Sequence, residues 1–144
     1  MIYRETRLAP YAREQIYAVV ADIERYPEFV PGWSSARIIR RQDQVCHVEQ
    51  EIGLGPVRLS FASRAELRPP ERIVISTSER PFRRLEIDWV FVQDQNPGCE
   101  VRLSVDVEIS AGLLRPVVQG RFESVAARLI PLFMARTEAL LQGR

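Results

Sequence analysis

The stretch RPVVQGRFESVAARLIPLFMARTEALL, residues 115–141, decides how the rest of the chain must be arranged. Val118, Phe122, Val125, Leu129, Phe133 and Leu140 follow one another at three, four or seven residues, which places them on one side of an α-helix. Val117, Ala126, Ile130, Met134 and Leu141 widen that stripe. A helix so apolar needs a large cover. What precedes it reads mostly as strands, so the simplest arrangement is a curved sheet wrapped around a long C-terminal helix. Pro131 removes the backbone bond to Ala127 and its ring crowds that carbonyl, so a kink or local break is expected at residues 128–132.

Working back from the helix, alternation of apolar and polar residues marks the strands. Residues 100–110 set Val101, Leu103, Val105, Val107 and Ile109 against Glu100, Arg102, Asp106 and Glu108. Residues 82–92 set Leu85, Ile87, Trp89 and Phe91 against Arg84, Glu86 and Asp88, and residues 94–98 read as the turn between the two. Upstream, residues 72–79 are β-branched, residues 57–67 alternate with Ser63 inward, and residues 45–54 place Cys46, Val48, Gln50, Ile52 and Leu54 on one face. Residues 35–42 and 2–8 supply two more strands, for seven in all. Between these last two, Ala12, Ile16, Val19, Val20 and Ile23 recur at helical spacing. Tyr26-Pro27-Glu28-Phe29-Val30-Pro31-Gly32-Trp33 then reads as a short helical turn and a loop, because two prolines forbid a long element. The fold class is α+β, an antiparallel seven-stranded sheet around the C-terminal helix, with residues 1–144 forming a single domain.

Composition narrows the function classes. Of the 144 residues 46% are hydrophobic and 27% charged, a globular balance, and no apolar run is long enough to span a bilayer. The opening residues lack the apolar centre of a signal peptide, so a cytoplasmic location is expected. Net charge is +1 and all 20 basic residues are arginine, which offers no global case for a DNA partner. Arg37, Arg40 and Arg41 form the densest basic cluster, followed by Arg83 and Arg84, and both read as solvated strand faces. Cys46 and Cys99 have no metal-ligand or disulfide spacing.

Catalytic patterns are missing as well. No phosphate loop, nucleophile elbow, dinucleotide fingerprint or metal-spaced ligand set is present, so neither a metal nor a cofactor is expected. The one histidine, His47, shares a charged strand face with Glu49 and Glu51, away from any cleft that a general base would need. No catalytic residue is assigned. The sheet's inner face carries Phe61, Leu85, Trp89 and Phe91, opposite Phe122, Leu129 and Phe133 of the helix, and an apolar cavity is expected between them. Tyr26, Phe29 and Trp33, on an irregular segment, are expected to form its lip. These ten residues are the candidate ligand-binding set.

Three segments carry a family resemblance: residues 20–32 with Asp22, Tyr26-Pro27, Phe29 and Pro31; Pro81-Phe82-Arg83-Arg84-Leu85 followed by Trp89 and Phe91; and the helix from Phe122 and Ser124 to Phe133-Met134-Ala135-Arg136. Together they resemble the coenzyme Q-binding family of START and polyketide cyclase-like proteins. The resemblance implies a helix-grip fold enclosing a hydrophobic tunnel. It also implies non-enzymatic binding or transport of an isoprenoid quinone, another lipid or a polyketide, with transient membrane contact during delivery. One branch of the family implies instead a toxin that binds the large ribosomal subunit and blocks subunit association. Related folds act as polyketide aromatases or cyclases, a role that the lack of an inward acid/base pair argues against.

Overall fold

The computed structural model describes residues 1–94, 98–110 and 112–143. Seven strands form one antiparallel sheet: β1 (Ile2–Ala9), β2 (Trp33–Gln42), β3 (Val45–Leu54), β4 (Val57–Arg68), β5 (Arg72–Thr77), β6 (Phe82–Gln93) and β7 (Cys99–Ile109). Their order is β1-β7-β6-β5-β4-β3-β2, so six strands run as a meander and the first closes against the last. The turn expected at residues 94–98 falls largely outside the described residues. Helix α1 (Arg13–Ala21) and a 3₁₀ helix (Ile23–Glu28) connect the two edge strands, as the prolines require.

The expected long C-terminal helix is two helices, α2 (Leu114–Ala127) and α3 (Leu129–Leu141), divided at Arg128. The cause is Pro131, which cannot donate to Ala127. The chain tightens instead, with the Arg128 N–H donating to the Val125 carbonyl at 3.2 Å. The break also shifts which residues face inward. Ala126, Leu129, Ile130 and Phe133 are buried, whereas Val125 is 40% and Leu140 48% exposed, although a single uninterrupted stripe would have buried both.

Parity along the strands separates core from surface as the alternation predicts. Gln50 and Ser63 are the polar exceptions on the inner face, and they satisfy each other: Gln50 Nε2 donates to Ser63 Oγ at 2.6 Å while Trp33 Nε1 donates to Gln50 Oε1 at 3.3 Å. On the outer face Arg72 pairs with Asp88 and Arg84 with Asp106, each through two hydrogen bonds. Strand β2 begins two residues earlier than expected, at Trp33, so this tryptophan belongs to the sheet rather than to a loop. The extension rests on Gly32, whose carbonyl accepts from the Gly53 N–H at 2.7 Å. With φ at +89° and the Gly53 carbonyl 2.7 Å from where a Cβ would stand, only glycine fits there.

Helix α1 packs against β5, β6 and α3. It inserts Tyr17, 7% exposed, edge-on to Phe91 at 5.7 Å. The Tyr17 hydroxyl is buried without a hydrogen-bond partner among the described residues, and burial, with the Cys46 thiol adding less, pushes the phenol up to about 12. Tyr17→Phe should therefore stabilise the fold by about 1 kcal/mol at pH 8, since no hydroxyl is left desolvated. The folded phenol titrates above its unfolded value, so the wild type loses further stability as pH rises from 10 toward 12. The advantage of Tyr17→Phe should widen by about 1 kcal/mol at pH 11 in urea denaturation.

Candidate functional site

The interior is uneven. Beneath α3 it is filled: Phe133 meets Trp89, Tyr26 and Phe29 edge to face, each at 5.1 Å between ring centres, and Trp89 stacks on Phe91 at 6.1 Å. Beneath α2 it is not. A cavity of about 110 Å³ lies there, walled by Leu54, Leu59, Leu85, Ile87, Val105 and Val107 from the sheet and by Val118, Phe122, Val125 and Ala126 from the helix. Trp33, Ile52, Phe82, Arg121 and Leu129 complete it. Larger depressions on the outer face, such as one of about 520 Å³ that includes Arg37, Glu49, Glu51 and Glu79, are lined by charged and hydroxyl groups. The interior cavity is the one suited to an apolar molecule.

Of the ten candidate residues, Trp33, Leu85, Phe122 and Leu129 line this cavity. Phe61 lies one ring away, 4.9 Å from Phe82. Trp89, Phe91 and Phe133 are at most 2% exposed and pack as the solid part of the core. Tyr26 and Phe29 do not form an open lip. The Tyr26 hydroxyl donates a short hydrogen bond to the Val20 carbonyl, and burial, reinforced by Asp22, raises its pKa. Phe29 lies under the Arg136 guanidinium, 5.1 Å from its ring centre, and Arg136 in turn donates to Glu28 at 2.8 Å. That bond, aided by Arg25, holds the Glu28 carboxyl below its usual range. Together these groups form a clamped plug at one end of the sheet.

Of the lining residues missing from the candidate set, Ile52, Leu54, Leu59, Ile87, Val105 and Val107 occupy inward positions on their strands and Val118, Val125 and Ala126 lie on α2; these are aliphatic, whereas the candidate set is mainly aromatic. Aromatic side chains filled the space available to them, whereas shorter side chains facing a helix that buries only Val118 and Ala126 left a gap. Phe82 points inward because a register shift between Phe82 and Arg84 breaks the alternation.

The basic cluster is also divided. Arg37 pairs with Glu49 at 3.1 Å, and Arg41, opposite Cys46, donates to its sulfur at 3.5 Å. Arg40 lies opposite His47, which lies opposite Arg64, so three basic side chains form a row across β2, β3 and β4. Arg64 was not in the expected cluster because it is distant in sequence. Among the described residues no three His, Cys, Asp or Glu side chains are grouped to hold a metal ion, and no helix is long and apolar enough to cross a membrane.

A seven-stranded sheet gripping C-terminal helices over an apolar cavity is the helix-grip architecture of START-like proteins. The chain belongs to the polyketide cyclase / dehydrase and lipid transport family, whose profile matches residues 9–133. Over 139 residues it is 25% identical to the ribosome association toxin RatA of Escherichia coli (strain K12), covering 96% of this chain and 88% of the toxin. It is 24% identical over 135 residues to the mitochondrial coenzyme Q-binding protein COQ10 homolog B of Xenopus laevis, covering 91% of this chain and 55% of that protein. The crystal structure of the Zhui aromatase/cyclase from Streptomyces sp. R1128 superposes with a TM-score of 0.86 at 13% identity, covering 98% of this chain and 95% of that one, a likeness of fold alone.

The division between filled and hollow core is measurable. Phe133→Ala should destabilise the protein by about 3–5 kcal/mol, since it opens a void amid three rings. Phe122→Ala, at a half-buried position on the cavity wall, should cost about 1 kcal/mol. Urea denaturation of the two variants checks the contrast.

Proposed function

We propose that the protein binds a hydrophobic small molecule, an isoprenoid quinone or another lipid, between α2 and the sheet, and carries it without transforming it. The observation that supports this reading is the cavity wall, which is apolar apart from Arg121 and brings no acid/base pair toward its centre. Such a surface attracts a ligand through the area removed from water, roughly 25 cal/mol per Å². General acid–base catalysis would need a titratable group within hydrogen-bond reach of the reacting atom. A cavity of about 110 Å³ is smaller than the roughly 300–1,000 Å³ of drug-sized ligand sites, so binding requires enlargement. Helix α2 is the wall that yields: it buries only Val118 and Ala126, and the break at Arg128 uncouples it from α3.

Trp33 lines the cavity and Trp89 does not, so the two tryptophans separate binding from general change. Quinones of increasing tail length should alter the tryptophan emission saturably, and Trp33→Phe should remove most of the response. Ala126→Leu, placing bulk on the cavity wall, should weaken binding at least tenfold, about 1.4 kcal/mol, while the protein stays folded. A folded, lipid-free wild type showing no saturable response would reject the carrier role.

A second reading, a regulator that contacts the large ribosomal subunit, is favoured by the likeness to RatA along nearly the whole chain and by the row Arg40, His47 and Arg64. Arg40 and Arg64, which form no ion pair among the described residues, suit a phosphodiester backbone, and such binding weakens with salt as counterions are released. The protein should then cosediment with large subunits at low salt and be released at high salt. Arg40→Glu with Arg64→Glu should abolish the association while leaving quinone binding intact.

A further inference from the structure

The apolar cavity has one charged residue in its wall, Arg121 of α2. Its stem covers the cavity, and its guanidinium emerges over the turn between β3 and β4. There it lies against Gly55, where a Cβ would stand 2.6 Å from Nη2 and 2.8 Å from Cζ. Gly55 has φ at +59°, so the glycine both forms the turn and leaves room for the cation. No hydrogen bond or ion pair among the described residues engages this guanidinium. Most arginines on the sheet differ, as with Arg58 on Glu51 at 2.9 Å.

The surroundings continue the same chemistry. Leu59 lines the cavity on one side, and on the other lines an open groove shared with Arg58, Ser60, Arg80, Pro81, Ser110 and Leu114. Arg80, like Arg121, has no ion-pair partner among the described residues. The aliphatic pocket therefore has Arg121 in its wall and Arg80 in the groove beside it, where the Ser60 and Ser110 hydroxyls already donate to Glu51 and to the Pro81 carbonyl.

We infer that the ligand is an amphiphile with an anionic head, its tail in the cavity and its carboxylate or phosphate held at the cavity edge by Arg121. This rests on the carrier reading and adds the class of ligand: an acidic lipid or prenyl phosphate in preference to a neutral one. A neutral tail gains only from burial, whereas an anionic head also gains charge-assisted hydrogen bonds from guanidinium groups that need not break an existing pair.

Three compounds with one tail test it: farnesol, farnesoic acid and farnesyl monophosphate, titrated at pH 8 into the wild type, Arg121→Gln and Arg80→Gln with Trp33 emission as the readout. The wild type should bind at least one anion about tenfold more tightly than farnesol, and the gap should narrow at high salt. Which anion binds tighter identifies the head group. Arg121→Gln should remove most of the gap, weakening the anions about tenfold and farnesol far less. Equal binding of all three compounds, or an equal loss for all three in Arg121→Gln, overturns the inference but leaves the carrier reading standing. Binding of none overturns both.

Discussion

The wedge formed by Phe133 holds the molecule together. It enters where α3 begins and meets three rings edge to face: Trp89 from the middle of the sheet, and Tyr26 and Phe29 from the connection between α1 and β2. Edge-to-face contacts of this kind add about 0.5–1.5 kcal/mol each to what burial provides. Their larger effect is positional, because the sheet and the connection between α1 and β2 are both fixed to one side chain of α3. Arg136, less than one turn further along α3, reinforces the arrangement by covering Phe29 and pairing with Glu28.

Fixing α3 so tightly makes the looser seating of α2 possible. The proline that ends the shared hydrogen-bond ladder lets α2 take its own direction over the sheet, where aliphatic side chains do not reach across the space. The result is a core with one solid half and one hollow half. The solid half supplies stability that does not depend on the hollow half being filled. A carrier needs such a division, because its cavity must open for a ligand without the fold coming apart.

The outer face of the same strands is organised independently. Side chains alternate across each strand, so Val48 can face the core while its neighbours His47 and Glu49 face solvent. On that face most arginines are matched to carboxylates on their own or the next strand, and exposed pairs of this kind contribute little to stability. The row from Arg40 through His47 to Arg64 breaks the pattern. Relatives of this chain are named for ribosome association and for coenzyme Q binding; in this chain the apolar cavity and the row of basic side chains lie on opposite faces of the sheet.

Much of this was legible in the residues themselves. Alternation in β3, β4, β6 and β7 assigned inner and outer faces, because a half-buried strand must repeat every two residues. The apolar spacing of residues 115–141 marked the gripped helix, and Pro131 marked where it would break. What remained illegible depended on distance between segments. Trp33 joined β2 because Gly32 meets Gly53 across the sheet. Arg64 joined Arg40 only through strand register. The cavity's position was the largest such decision: inward parity identified its wall, but whether inward side chains meet or leave a gap depends on how closely α2 approaches. That approach is set by the break at Arg128 and by the packing of Phe133, and no single strand or helix encodes the space between them.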